Sequence, residues 1–151
     1  MDRGQVSLAI HNQSNAMAND LTLSVVAPDR KVVETQVFSV TAPGHDGYLG
    51  VLAGHEPSLI ALRPGLLEFR DTRDQRHLVA IGGGFMEVSG NQVIVLADDA
   101  RLASEIEVKK EEEMLDRARR TLRGEATGLS QEEATLALER ALTRIKAARM
   151  N

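Results

Sequence analysis

Val40-Thr-Ala-Pro-Gly-His-Asp-Gly-Tyr-Leu-Gly-Val-Leu-Ala-Gly-His-Glu-Pro57 is the stretch from which the organisation of this chain is read. Gly44, Gly47, Gly50 and Gly54, with Pro43 and Pro57, punctuate it, and it holds no serine, cysteine or lysine nucleophile. Glycine admits backbone angles that other residues avoid and proline fixes one, so the segment shapes backbone rather than performing chemistry. The apolar piece between its turns, Leu49 to Leu52, is too short for a stable helix and reads as a strand. The segment is therefore expected to be a docking surface on a β-domain.

The same pattern continues on both sides. Leu21, Leu23 and Val25 alternate with Thr22 and Ser24, as in a strand with one buried face, and Pro28-Asp29 ends the run. Further strands are expected at Val32 to Val40, Leu59 to Leu62, Leu66 to Arg70, Leu78 to Ile81, Phe85 to Val88 and Val93 to Leu96. Turn residues separate them at Pro64-Gly65, Asp71 to Arg76, Gly82 to Gly84 and Ser89 to Asn91. Many short strands at such intervals indicate a sandwich or flattened barrel. Gly82-Gly83-Gly84 lacks the Lys-Ser/Thr of a phosphate loop and reads as a turn or bulge.

Past Ala97 the composition changes. Proline disappears, glycine remains only at Gly124 and Gly128, and Ala, Leu, Glu, Lys and Arg dominate, which are strong helix formers. Ser104 with Glu107, and Ser130 with Glu133, have the spacing of a capping box at two helix starts. The link from Arg123 to Leu129 is short enough to make the helices an antiparallel hairpin. Ala134, Leu138, Ala141, Leu142 and Ile145 form a stripe on the second helix, faced by Val108, Met114, Leu115, Ala118 and Leu122. So few large aliphatics, each worth roughly 1.5 to 3 kcal/mol if fully buried, hold a hairpin weakly enough to move.

Composition excludes several functions. A net charge of −4 lacks the basic face that general nucleic-acid binding requires. With Phe38, Phe69, Phe85 and Tyr48 as the only aromatics, stacking platforms for single strands or sugars are poorly supplied. No apolar run approaches the roughly 20 residues of a membrane span, so membrane association is expected only through a partner. Absence of cysteine removes disulfides and thiolate zinc sites, and His11, His45, His55 and His77 show no metal-ligand spacing. No nucleophile elbow is present, and Asp98-Asp99 stands where a strand ends. No catalytic residue, metal or cofactor is assigned.

Residues 1–16 are polar and aperiodic, without the features of a signal peptide, and Met17 opens the strand-like sequence. The expected division is a disordered or cloning-derived extension over 1–16, a β-sandwich over 17–100 and a helical hairpin over 101–151. Arg140 and Arg144, four residues apart on the second helix, are either a solvated face or contacts for an acidic partner segment.

Gly47-Tyr-Leu-Gly50 with Gly54-His-Glu-Pro57, then Arg63-Pro-Gly65, then Gly82-Gly-Gly-Phe-Met-Glu-Val88 and finally Val95-Leu-Ala-Asp98 together resemble the epsilon subunit of F-type ATP synthases. The resemblance runs from about Leu21 to the C-terminus and rests on the order and spacing of the pieces. It implies a β-sandwich of about ten strands followed by an antiparallel two-helix hairpin. It also implies a non-catalytic rotor subunit of the central stalk, coupling proton-driven c-ring rotation to ATP synthesis, whose helices inhibit hydrolysis. Implied partners are the gamma subunit, the c-ring, and the alpha and beta subunits of the catalytic head when the helices extend. The implied location is peripheral, on the cytoplasmic face of a bacterial plasma membrane or on a thylakoid membrane. In the family the turn-rich loop faces the ring, which makes Tyr48 and His55 candidate ring contacts; Tyr48 stands where some relatives carry an acidic residue.

Some relatives bind ATP between the helices through Ile/Leu-Asp-x-x-Arg-Ala. The matching stretch makes Ile106, Glu107 and Lys110 candidate nucleotide-sensing residues, with Glu for Asp, Lys for Arg and Glu111 for Ala. Lysine lacks the forked donors of arginine, and Glu111 adds negative charge beside a polyanion. The rival reading is a free-standing β-sandwich binding module with a helical dimerisation hairpin; a free-standing enzyme ranks third, for want of a nucleophile or metal cluster.

Overall fold

The computed structural model describes residues 20–151. The extension expected over 1–16, and Met17 after it, lie outside the described residues.

Alternation in β1 (Leu21–Ala27) does what the sequence demands: Leu21, Leu23, Val25 and Ala27 are buried, and the residues between them are partly exposed. One edge of β1 pairs antiparallel with β2 (Arg30–Gly44), and the other pairs parallel with β6 (Gln92–Ala97). β4 (Ser58–Asp71) and β5 (Arg76–Ser89) complete the order β1-β6-β5-β4-β2, whose pairings other than β1–β6 are antiparallel. Because β1 also pairs with β2, the sheet closes on itself, and closure removes free edges. The short β3 (Gly47–Val51) hangs on the end of β2, and β7 (Ala100–Leu102) pairs with β5.

Seven strands are present among the described residues, against the ten or so that the resemblance implied. The difference has a physical cause. Pro64-Gly65 and Gly82 to Gly84, expected as breaks, are bends within long strands, and the β4–β5 register runs on across them, with Leu62 opposite Gly84 and Gly65 opposite Ile81. Val79 and Ile81 point into the core before the bend, and Met86 and Val88 after it, so the inward phase of β5 changes there. Gly83 and Gly84 take φ of 97° and 135°, and a Cβ on Gly84 would stand 2.1 Å from the Leu96 carbonyl oxygen. Glycine is thus required where β5 leaves β7 and joins β6, and the bent strands serve both walls of the flattened barrel.

The enclosed core is aliphatic. Leu21, Leu23, Val25, Val37, Val40, Leu67, Val79, Ile81, Met86 and Val93 fill it, and Phe69 is its one aromatic side chain.

After β7 the chain makes a 3-10 turn (Ala103–Glu105), then α1 (Val108–Leu122) and α2 (Gln131–Met150). The capping box expected at Ser104 and Glu107 does not form: the turn intervenes, and Glu107 itself is the α1 N-cap, with no side-chain cap bond. The second box does form, with Ser130 Oγ accepting from Glu133 N at 3.0 Å and Ser130 N donating to Glu133 at 2.9 Å. The Ser130 backbone and side-chain bonds hold the Glu133 carboxyl below its ordinary value. At the end of α1, Gly124 (φ 76°) donates to the Thr121 carbonyl and Glu125 to the Arg120 carbonyl, the paired bonds of a Schellman stop. Glu112 meets Arg149, Glu111 meets Arg144, and Thr121 meets Gln131, so the helices are antiparallel. No helix among the described residues is long and apolar enough to cross a membrane.

Candidate functional site

Three surfaces carry the candidate residues. The first is the loop limb. β2 turns at His45-Asp46 into β3, where Gly47 (φ 133°) lies opposite Gly44. Tyr48 is 61% exposed, yet its hydroxyl accepts the Leu66 N–H at 3.2 Å. That bond lays the side chain beside Gly65, where a Cβ would come within 3.0 Å of the hydroxyl oxygen and 2.9 Å of Pro43. His55 is partly exposed; its Nδ1 donates to the Glu56 carbonyl at 2.8 Å, and its N–H donates to the Leu52 carbonyl at 3.1 Å. Both side chains are held by backbone groups and keep solvent-facing surface, which suits contact rather than acid–base work.

The second surface is a patch that sequence reasoning missed. Register places Phe85 opposite Ala61 on β4 and Leu96 on β6, and Leu59 lies on the same outward face of β4. Leu59, Phe85 and Leu96 are 73%, 55% and 58% exposed. Neighbouring exposed apolar side chains of this size are a mark of protein–protein surfaces. Its signal in the sequence was the presence of large apolar residues at both parities of these strands, which alternation alone reads as noise.

The third surface lies between the hairpin and the barrel. α2 sits on the outer face of the second half of β4 and the first half of β5, where Leu66, Leu78, Ala80, Ala103 and Ala147 are buried together with Ile106 against them. Within the hairpin, Ala118, Ala134, Ala141 and Ile145 are buried, whereas Leu142 of the expected stripe is exposed and Leu138 only partly covered. The candidate nucleotide-sensing residues do not converge. Ile106 packs into the docking cluster, while Glu107 and Lys110 form an exposed ion pair of 2.9 Å at the start of α1.

Arg144 is the best-enclosed cation here, with only 14% of its side chain exposed. Its Nη2 donates to Asp99 at 2.8 Å and its Nη1 to Glu111 at 3.3 Å. Arg140 lies 3.9 Å from the same Asp99 carboxylate. The acidic groups facing these arginines therefore belong to the chain itself, one on the barrel and one on α1. Asp98-Asp99 and Glu111 are visible in the sequence, but no local pattern pairs Asp99 or Glu111 with an arginine 45 or 33 positions away.

A separate hydrogen-bonded cluster closes the β4–β5 turn: Asp71 accepts from the His77 ring at 2.8 Å and from the Arg73 and Gln75 amides at 2.8 and 3.0 Å. Burial acts to raise the Asp71 carboxyl, but these bonds outweigh it and hold the group below its ordinary value.

Residues 20–103 match the family model described as the ATP synthase, Delta/Epsilon chain, beta-sandwich domain. The chain is 41% identical over 128 residues to an ATP synthase epsilon chain of Moorella thermoacetica, covering 85% of this chain and 96% of the relative. It is 37% identical over 132 residues to one from Desulforamulus reducens, covering 87% and 99%. Among solved structures, a chain of the Euglena gracilis mitochondrial ATP synthase (OSCP, F1 and c-ring) superposes with a TM-score of 0.70 at 25% identity, covering all of this chain and 91% of that one. A chain of the Tetrahymena thermophila mitochondrial ATP synthase central stalk and c-ring shares the fold, with a TM-score of 0.52 at 18% identity, covering 86% and 94%.

Proposed function

We propose, since this chain belongs to the ATP synthase epsilon-chain family, that it is a non-catalytic rotor subunit of the central stalk. It couples proton-driven rotation of the c-ring to ATP synthesis and restrains hydrolysis through its hairpin. The observation that carries this reading is the pairing of a family-matched barrel with a hairpin docked on it through a small apolar cluster. A rigid barrel suits torque transmission, and a lightly docked hairpin suits a part that moves for a few kcal/mol of differential contact.

The exposed Leu59, Phe85 and Leu96 face is assigned to the gamma subunit, and the Tyr48 and His55 limb to the c-ring. The hairpin, residues 101–151, is the regulatory unit, and it meets the alpha and beta subunits of the catalytic head when extended. Arg140 and Arg144 then exchange their internal carboxylates for acidic groups of that head. Nucleotide sensing by Ile106, Glu107 and Lys110 requires Glu107 and Lys110 to give up the ion pair they make with each other. The subunit requires no cofactor, and its place at the cytoplasmic face of a bacterial plasma membrane, or at a thylakoid membrane, is held through the complex.

Co-expression with the gamma subunit tests the reading: the two are expected to co-purify, and hydrolysis by the complex is expected to rise when the chain is cut after Ala103. A stable homodimer without affinity for gamma would replace it with the free-standing binding module.

A further inference from the structure

Asp99 is fixed by the barrel, independently of the hairpin. Its carbonyl accepts the Gly82 N–H at 2.8 Å, and a Cβ on Gly82 would stand 2.9 Å from Asp99 Cβ, so the turn between β6 and β7 is pressed onto β5. The carboxylate thus waits on the barrel as a preformed anchor. Glu111 is on α1, and its ion-pair partner among the described residues is Arg144 on α2. The Arg144 guanidinium therefore joins three separate parts of the molecule, α1, α2 and barrel, through two of its nitrogens.

The groups around it are few. Asp99 faces it from the β6–β7 turn, Glu111 from α1 and Arg140 from its own helix, with Asp99 and Glu111 only 19% and 12% exposed. Without a cation between them two enclosed carboxylates repel each other, and a lysine would present a point charge where the fork spans both. Burying such a cluster gains little net stability, because desolvation offsets most of the attraction, but removing one member leaves uncompensated charge behind.

From this we infer that Arg144 is a latch which couples closure of the hairpin to its docking, so that α1 holds α2 on the barrel through Glu111, with no ion pair of its own to the barrel among the described residues. The latch fixes one docked register and opens as a unit, because loss of either carboxylate contact weakens the other. It deepens the reading of the hairpin as a mobile regulatory unit, yet docking in the free chain is measurable without any partner, so failure here leaves that reading standing.

The chain has no native cysteine, so single thiols report cleanly. Ala80→Cys lies beneath α2 on the outer face of β5, and Val79→Cys lies inside the barrel. Thiol labelling of the full-length chain at Ala80→Cys measures hairpin release, and labelling at Val79→Cys measures unfolding. Adding Arg144→Met is expected to raise the Ala80→Cys rate roughly ten- to a hundredfold with the Val79→Cys rate unchanged. Glu111→Gln is expected to raise it severalfold, and Arg144→Lys to fall between parent and Arg144→Met. Ala80→Cys rates within twofold of the parent in Arg144→Met would overturn the latch. Parallel rises at both thiols would also overturn it, making Arg144 a residue of the common fold. A Glu111→Gln rate equal to the parent would refute the coupling through α1.

Discussion

Truncating Leu78 to alanine separates the stability of the docked hairpin from that of the barrel. Leu78 is buried on the outer face of β5, in the cluster with Leu66, Ala80, Ala103 and Ala147, and it is absent from the barrel core. Only Leu66 and Leu78 among those buried residues are large, so the substitution removes about half of the substantial apolar burial that holds α2 down. Leucine-to-alanine changes in packed sites cost ~2 to 5 kcal/mol, and this site, at the margin of the fold and able to collapse, belongs near the lower end, ~2 to 3 kcal/mol. Almost all of that loss falls on docking, which lowers the docked-to-released ratio roughly 30- to 150-fold. Amide hydrogen exchange resolves the two parts: α2 amides are expected to exchange faster by about that factor, while amides of β1 and β6 keep their protection. If α2 exchange is unchanged, the cluster does not anchor the hairpin. If β1 and β6 lose protection equally, hairpin and barrel unfold as one unit and the argument for a mobile hairpin fails.

Further outcomes follow from the same geometry. Gly84→Ala places a methyl group against the Leu96 carbonyl at a φ of 135°, and urea denaturation is expected to show a loss of ~3 kcal/mol or more. Phe85→Ser, at a half-exposed position, is expected to change stability by no more than about 0.5 kcal/mol while abolishing co-purification with gamma; a large stability loss would place Phe85 in the core instead. Asp71 has a folded-state pKa below its unfolded value, so its stabilisation is complete above the unfolded value and is lost as pH falls through the folded one. Asp71→Asn is accordingly expected to flatten the acid limb of a stability-versus-pH curve below about pH 4, with an unaltered limb counting against the turn. Ser130→Ala removes the capping box and is expected to cost ~1 kcal/mol, seen as faster exchange in the first turn of α2 with the barrel unaffected.

The parts of the fold that follow from local chemistry were legible. β1 could be read from strict alternation, α2 from Ser130 and Glu133, and the stop of α1 from Gly124, because each is decided by residues within a few positions of one another. Ser104 and Glu107 carried the same capping pattern yet form no box, because the 3-10 turn after β7 spends those residues on a change of direction. Gly82 to Gly84 looked like a strand break for a similar reason: glycine marks an unusual backbone, and whether it ends a strand or bends it depends on what lies opposite. Here β4 bends in register with it, at Pro64 and Gly65.

By itself the sequence determined a β-domain with an aliphatic core, a helical hairpin after it, and the ordered glycine and Leu-Ala-Asp pieces that resemble one family. Those depend on periodicity, capping and turn chemistry, which act over short distances along the chain. Tertiary structure alone decided that the sheet closes through the parallel β1–β6 pairing, and that Leu59, Phe85 and Leu96 share an exposed face. It alone decided that Arg144 finds its carboxylates on the barrel and on α1. Each of these joins residues far apart in sequence, and no local preference selects such a partner; closure of the barrel and docking of the helix bring them together.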